Sequence, residues 1–361
     1  MKDLSEARAI INAIDKKMAA LFERRMEAVE DVILYKKEHQ LPVFDSRREE
    51  AVIQNNLPYI KQAKYKESYR KFLIDLMNTS KEYQKQVLYQ DCVGYQGGKG
   101  AFSYIVSNKL CKEFTKKQYE TFEDVFKAVM NNEVRFGIVP LENSYTGEIG
   151  EVLDLLIQYP LYIDCDYKLK ISQNLLGIKG AKLEDIKTVY SKDQAIYQSK
   201  QFLQGRGYEE IPYANTALAA QYVASMQDKT KAAIAAKETA ELYGLEILAS
   251  DINTSEQNHT RFIKISKELK QNGNVVALAI IVPHQAGALV NAMNVISEDG
   301  YNMQSIISRS IKKRPWEYYF YIEIEGNMND EKLQKVVEKL KDVCEKVKVL
   351  GVYTKESRDE K

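Results

Sequence analysis

From Leu4 the chain runs without a glycine or proline until Pro42. Within that stretch Leu4, Ile11, Ile14, Met18, Leu21, Phe22, Val29 and Val32 recur at the spacing that stacks side chains on one helical face. The pattern predicts one helix about 50 Å long, at 1.5 Å per residue. A second helix is expected to start near Asp45 or Ser46. A third should span roughly Lys66 to Leu88, with Tyr69, Phe72, Leu73, Leu76 and Met77 inward. Three helices, one of them so long, enclose a poor core of their own. Such an element usually finds its missing neighbours in a second copy of the chain.

Two cations lie on the apolar stripe. Arg25 and Lys36 are eleven residues apart, and eleven steps of about 100° return to nearly the same angle. An unpaired cation facing a bundle interior is costly, so both demand polar or anionic partners. Ser80 and Gln84 continue the inward stripe of the third helix, and Asp45-Ser46-Arg47-Arg48-Glu49 opens the second. Ser46 and Glu49 also fit a capping box, so Glu49 reads either as a cap or as a ligand group. The set favours a polar pocket for a small dianion.

After residue 90 the texture changes. Apolar strands (136–140, 175–178, 232–236) alternate with helical stretches (121–131, 216–226), which predicts a layered α/β domain closing near Ile265. A polar run from Ser266 to Asn274 reads as a linker. The remainder reads strand, helix, strand, strand, helix, strand, a βαββαβ ferredoxin-like sandwich. At 361 residues, two or three domains are expected. Lys and Arg number 52 against 51 Asp and Glu, so the bulk charge that nucleic acid or an anionic membrane would require is missing. The N-terminus lacks an apolar signal core, and the uncharged run 271–297 contains only a strand-length apolar segment; a cytoplasmic protein is the expectation. Cys92, Cys111, Cys165 and Cys344 are far apart, and His39, His259 and His284 have no ligand spacing. No metal or other cofactor is expected. The chemistry falls to Arg, Lys, Glu, hydroxyls and amides.

The helical segment resembles the all-helical chorismate mutases over nearly all of residues 4–87. The motif residues are Arg8, Glu23-Arg24-Arg25, Lys36, Pro42-Val43-Phe44-Asp45-Ser46-Arg47-Arg48-Glu49, Ser80 and Gln84. The resemblance implies that Arg8 and Arg25 clamp two carboxylates and that Lys36 and Gln84 donate to the breaking ether oxygen. It implies that Asp45, Arg48, Glu49 and Ser80 orient the ring hydroxyl and carboxylate end. A pericyclic rearrangement needs only a held conformer and stabilised charge. Arg8 and Arg25 are seventeen residues apart, about 25 Å along one helix. Arg8 should therefore serve a partner's site in an intertwined dimer.

Residues 91–266 resemble prephenate dehydratases. The ordered motifs are Gly97-Gly98-Lys99-Gly100-Ala101-Phe102-Ser103, Val139-Pro140-Leu141-Glu142-Asn143-Ser144, Asn174-Leu175-Leu176, Tyr190-Ser191-Lys192-Asp193-Gln194-Ala195 and Thr260-Arg261-Phe262. Lys192-Asp193 stands where that family usually has His-Pro. The glycine-rich turn alone is either a tight turn or an anion site. The family fold implied is two α/β lobes around a cleft, like periplasmic binding proteins. Thr260 is then the leading proton or hydrogen-bond donor. Asn143, Ser191 and Gln198 would hold substrate, with Glu142, Ser144, Arg261 and Phe262 in the same wall.

The C-terminal segment resembles ACT domains, through Gly287-Ala288-Leu289-Val290, Ser308-Arg309 and Arg314-Pro315-Trp316-Glu317-Tyr318. The family's Glu-Ser-Arg-Pro is here Ile307-Ser308-Arg309-Ser310. Residues 1–88, 91–266 and 274–355 are thus read as mutase, dehydratase and regulatory domains. The resemblances imply a bifunctional enzyme that converts chorismate to prephenate and prephenate to phenylpyruvate, under phenylalanine feedback, as a homodimer or larger. Rival readings are arogenate as dehydratase substrate, and a non-catalytic sensor; Lys36 and Gln84 argue against the sensor.

Overall fold

A computed structural model describes residues 3–39, 41–255, 257–311 and 318–355; Arg314 to Glu317 of the C-terminal motif lie outside them. The chain divides into two compact units, 1–91 and 92–361.

The first unit is helical. Helices α1 (Leu4–Glu38), α2 (Ser46–Asn56) and α3 (Lys66–Tyr89) are joined by two short 3-10 turns. Asp3 caps α1 by accepting from the Leu4 amide, and Asp45 caps α2 by accepting from the Arg48 amide at 3.0 Å. Glu49 is thereby excluded from a capping box. The small core comprises Val29, Ile33, Val43, Ile53, Leu73 and Met77. Most of the α1 stripe is uncovered: Leu4, Ile11, Ile14, Met18, Leu21, Phe22 and Val32 are all exposed, and so is Phe72 on α3. The reason is geometric. A 24-residue α3 and an 11-residue α2 cannot flank a 35-residue helix along its whole length.

The second unit is α/β. In chain order its elements are β1 (Cys92–Gln96), α4 (Phe102–Leu110), β2 (Thr115–Tyr119), α5 (Phe122–Met130), β3 (Phe136–Asn143), β4 (Gly147–Glu148), α6 (Gly150–Gln158) and β5 (Tyr162–Lys170). A second lobe follows with β6 (Asn174–Gly177), β7 (Thr188–Ser191), α7 (Asp193–Gln198), α8 (Lys200–Leu203), β8 (Glu209–Pro212), α9 (Thr216–Met226), β9 (Lys231–Ala235), α10 (Lys237–Tyr243) and β10 (Glu246–Ala249). The chain returns to the first lobe as β11 (His259–Ser266). It ends in β12 (Val275–Ile281), α11 (Ala288–Glu298), β13 (Met303–Ser310), β14 (Tyr318–Glu325), α12 (Glu331–Val343) and β15 (Lys346–Tyr353).

The second lobe has its own sheet, ordered β10-β6-β9-β7-β8. The first lobe and the C-terminal βαββαβ segment share one sheet, β13-β14-β12-β15-β5-β11-β3-β1-β2, with β4 on β3. The seam is narrow. β15 meets β5 in parallel through one register pair, Gly351 opposite Ile163. A side chain on Gly351 would strike the Ile163 carbonyl at 2.5 Å, so only glycine allows that approach.

Charge is buried beside the seam. Glu323 on β14 is fully buried; its carboxylate meets the Arg261 guanidinium at 2.6 Å and the Lys355 ammonium at 2.7 Å. The Tyr321 and Tyr353 hydroxyls donate to it at 2.6 and 2.9 Å. Burial alone would raise the Glu323 pKa, but Arg261, Lys355 and Tyr321 outweigh it and hold the group at about 2. For Asp166, which has Arg261 at 2.8 Å, burial prevails and the pKa rises.

The Glu323 group binds its proton less readily folded than unfolded. Its stabilisation is present above pH about 4.5 and is lost as pH falls toward 2, a contribution of about 3 kcal/mol. Urea denaturation of wild type and Glu323→Gln, followed by circular dichroism, should show a stability gap at pH 6 that narrows steadily between pH 4.5 and 2.5. A gap independent of pH would contradict this assignment.

Candidate active sites and family

In the helical unit, side chains from α1, α3 and the α1–α2 loop converge. Arg25 is half-buried and donates to the Ser80 hydroxyl, which in turn donates to the Leu76 carbonyl at 2.9 Å. Ser80 therefore steers the guanidinium. Eleven residues on, Lys36 donates to the Val43 carbonyl at 2.6 Å and to Gln84 Oε1 at 3.2 Å. Burial lowers the Lys36 pKa, opposed by Asp45 and Glu49; burial also lowers that of Arg25.

These bonds fix what is left over. An ammonium has three donors, and two are used. Gln84 presents its oxygen to Lys36, so its amide NH2 faces the other way. One N–H of Lys36 and the amide of Gln84 remain for a third party. Glu49 pairs with Lys81 at 2.7 Å, and Lys81 lies over the Phe44 ring. Asp45 and Arg48 are exposed, Asp45 being committed to the α2 cap. Arg8 is exposed in the opening turns of α1, seventeen residues from Arg25 on one unbroken helix.

In the second unit a cleft of about 310 Å³ lies between the two lobes. Asn143, Thr260 and Phe262 line it from the first lobe and Gln198, Lys192 and Thr216 from the second. Strand alternation explains the pairing of Thr260 with Phe262, since residues two apart share a face. The same alternation turns Arg261 away. The expectation that Arg261 stands in the cleft wall is corrected: its guanidinium reaches Glu323, Asp166 and Tyr353 behind the strand. Glu142, opposite Arg261 in the ladder, meets it at 3.6 Å on that same side. Ser144 is also absent from the lining; its hydroxyl donates to the Gln257 carbonyl and accepts from the His259 amide, closing the loop before β11. Ser191 is fully buried and donates to the Ile234 carbonyl at 2.7 Å, tying β7 to β9 beneath the cleft floor.

Asn143 organises the centre. Its Oδ1 accepts from the Tyr145 and Thr146 backbone amides at 3.0 and 3.1 Å. Backbone amides can only donate, so the Asn143 NH2 must be on the other side, where it meets Thr260 Oγ1 at 2.9 Å, Asn258 Oδ1 at 2.8 Å and the His259 carbonyl at 3.0 Å. Thr260 is the acceptor in its bond with Asn143. Its own proton stays free to point into the cleft.

The glycine-rich turn serves this cleft. Gly97 and Gly100 take φ of +95° and +88°, which other residues rarely adopt. Gly100 offers its carbonyl to Thr239 at 3.0 Å and Lys99 its own to Tyr243 at 2.9 Å, joining the turn to the second lobe. A separate cavity, about 400 Å³, lies against the α11 turn and is lined by Gly287, Ala288, Leu289, Val290, Tyr318 and Phe320 among others. Ser308 is opposite Phe320 in the ladder but is not among the lining residues. Arg309 does not reach that cavity at all. It faces α6, where it meets Asp154 at 3.4 Å, and its guanidinium packs over Gly150.

A chorismate mutase type II model matches residues 7–85 and a prephenate dehydratase model matches residues 93–270. The bifunctional chorismate mutase/prephenate dehydratase of Buchnera aphidicola subsp. Acyrthosiphon pisum is 31% identical over 365 residues, covering 96% of this chain and 95% of that protein. The chain belongs to this bifunctional family. Among solved structures, GqqA, described as a novel type of quorum quenching acylase, is 27% identical with a TM-score of 0.68, covering 74% of this chain and 99% of that one. The prephenate dehydratase of Arthrobacter aurescens, solved in complex with L-Phe, is 22% identical with a TM-score of 0.67 and covers 74% and 91%; it shows the same fold.

The enzyme thus joins a chorismate mutase to a prephenate dehydratase. Sequence reading missed two cations here. Lys81 in the mutase follows directly on Ser80, and its signal was only that adjacency. Lys192 in the dehydratase is the one charged side chain lining the cleft among the described residues; its signal was the departure from His-Pro.

Asn143→Asp tests the proton assignment. A carboxylate still accepts from both backbone amides but would also accept from Thr260, consuming the free proton. Dehydratase turnover should fall roughly a hundredfold, with mutase turnover unchanged in the same preparation.

Proposed function

We propose that Arg25, Lys36 and Gln84 form the mutase site proper and that Thr260 is the dehydratase donor. One observation carries the reading: in each site, hydrogen bonds inside the protein leave one donor unspent toward the open side. In the mutase the free N–H of Lys36 and the Gln84 amide face the ether oxygen of chorismate, where negative charge builds as the C–O bond breaks and the C–C bond forms. Arg25, steered by Ser80, holds one carboxylate. Glu49, with Asp45 and Arg48, bounds the ring end.

In the dehydratase, prephenate loses its ring carboxylate as carbon dioxide. The electrons of that bond enter the ring, aromatise it and expel the ring hydroxyl. Thr260 supplies a hydrogen bond to that departing oxygen, which leaves as water with one proton. Asn143 and Gln198 position the substrate and Phe262 packs its ring. With Arg261 turned away, Lys192 is the cation that faces a substrate carboxylate. Helices α4 and α9 begin at the cleft, at Phe102 and Thr216, and their first amides favour an anion there. Ser191, Ser144 and Glu142 support the walls.

The division into residues 1–88, 91–266 and 274–355, the last an ACT domain, is part of this proposal. So is phenylalanine as effector, held at Gly287, Ala288, Leu289 and Val290 with Ser308 nearby. The glycine at 287 takes φ of +82° and opens α11, leaving backbone amides for an amino acid's carboxylate. The exposed apolar stripe of α1 supports a homodimer in which Arg8 completes the partner's mutase site. A cytoplasmic enzyme fits these substrates, and no helix among the described residues is long and apolar enough to cross a membrane.

Two measurements check the reading. Thr260→Ala should abolish phenylpyruvate formation from prephenate while mutase turnover is retained; equal losses in both would refute separate sites. Inactive Arg8→Ala and Arg25→Ala chains, refolded together, should regain up to about a quarter of wild-type mutase activity, the share expected if one of the two sites in each mixed dimer is intact and half the dimers are mixed. No recovery would refute the shared site.

A further inference from the structure

Arg261 is buried, touches no part of the cleft, and follows directly on Thr260. Its partners come from three strands outside its own: Asp166 on β5, Glu323 on β14 and Tyr353 on β15. The Tyr353 hydroxyl accepts from Arg261 at 2.8 Å and donates to Glu323 at 2.9 Å, so it closes the triangle. Two of these partners belong to the C-terminal βαββαβ segment. β15 meets β5 through a single register pair, so the guanidinium spans a seam that the backbone itself barely joins.

The strand needs such an anchor at this point. Along β3 the register runs Thr260 opposite Asn143, Arg261 opposite Glu142, then slips so that Phe262 is opposite Pro140. The ladder with β3 is therefore interrupted between Arg261 and Phe262, the two residues after the donor. An interrupted ladder re-aims side chains but loses the hydrogen bonds that would hold them. The side chain of Arg261 supplies, from behind, the fixation that the ladder lacks in front.

We propose that Arg261 is a positioning residue for the dehydratase: clamped by Glu323 and Tyr353, it fixes the bulged segment of β11 so that Thr260 presents its hydroxyl to the cleft. The C-terminal segment is then a structural part of the dehydratase site, whatever it binds. The proposal rests on the reading of Thr260 as the donor.

The test uses the full chain and measures dehydratase kcat and KM with prephenate, alongside mutase turnover. Tyr353→Phe removes one hydroxyl and preserves the packing; it should lower kcat roughly tenfold with KM within about twofold, because displacement of a reacting group costs turnover rather than binding. Arg261→Met should lower kcat further, and Arg261→Lys should recover part of that loss. Circular dichroism melts establish that each variant is folded at the assay temperature. Should Arg261→Met fail to fold, Tyr353→Phe and Arg261→Lys still decide. Wild-type kcat in folded Tyr353→Phe and Arg261→Lys would overturn the proposal. So would a raised KM at unchanged kcat, the mark of an arginine that grips substrate. An active Thr260→Ala would instead bring down the underlying reading, and the two failures are distinguishable.

Discussion

A guanidinium enclosed by two carboxylates and two tyrosine hydroxyls holds the second unit together. Glu323 is wholly buried, and without Arg261 and Lys355 its charge would be untenable there. Conversely, Arg261 could not face the interior behind β11 without Glu323 and Asp166. The cluster obliges β5, β11, β14 and β15 to stay side by side although β5 and β15 share one register pair. The long continuous sheet owes its continuity to side-chain charge as much as to backbone ladders.

Both sites follow one economy of hydrogen bonds. In each, an amide is locked by groups whose donor or acceptor character admits no choice: backbone amides for Asn143, an ammonium for Gln84. The lock determines which face of the amide looks outward. Neither site needs a strongly perturbed acid or base, which suits two reactions whose driving force lies in the substrate. Orientation is the protein's main contribution, and orientation is what a satisfied hydrogen-bond network supplies.

Much of this was legible in the chain itself. The 3.6-residue period located α1 and α3, and the alternation of apolar strands with helices located the layered unit. The inward stripe carrying Arg25 and Lys36 pointed to Ser80 and Gln84, and the two pairs meet as spacing required. Side-chain direction on β11 was the failure. Thr260, Arg261 and Phe262 read as one motif, but a strand sends successive residues to opposite faces, so a contiguous motif cannot all line one cavity. Arg309 shows the same effect on β13, one residue from Ser308 and facing α6 instead. The strand β5 was missed because its polar residues, Asp164 and Asp166 among them, pair with Lys264 and Arg261 rather than with water. The α1 stripe was read correctly as apolar, yet its cover is not within the chain.

The narrow seam at Gly351 also sets where this gene tolerates a cut. A break before Cys92 separates two bodies that each keep their own core. A break before Val275 would strip Glu323 and Tyr353 from Arg261, leaving an arginine and Asp166 at a raw sheet edge with water in place of their partners. Modularity in this chain therefore lies between the helices and everything after them; the last eighty residues are welded, by charge, to the catalyst they follow.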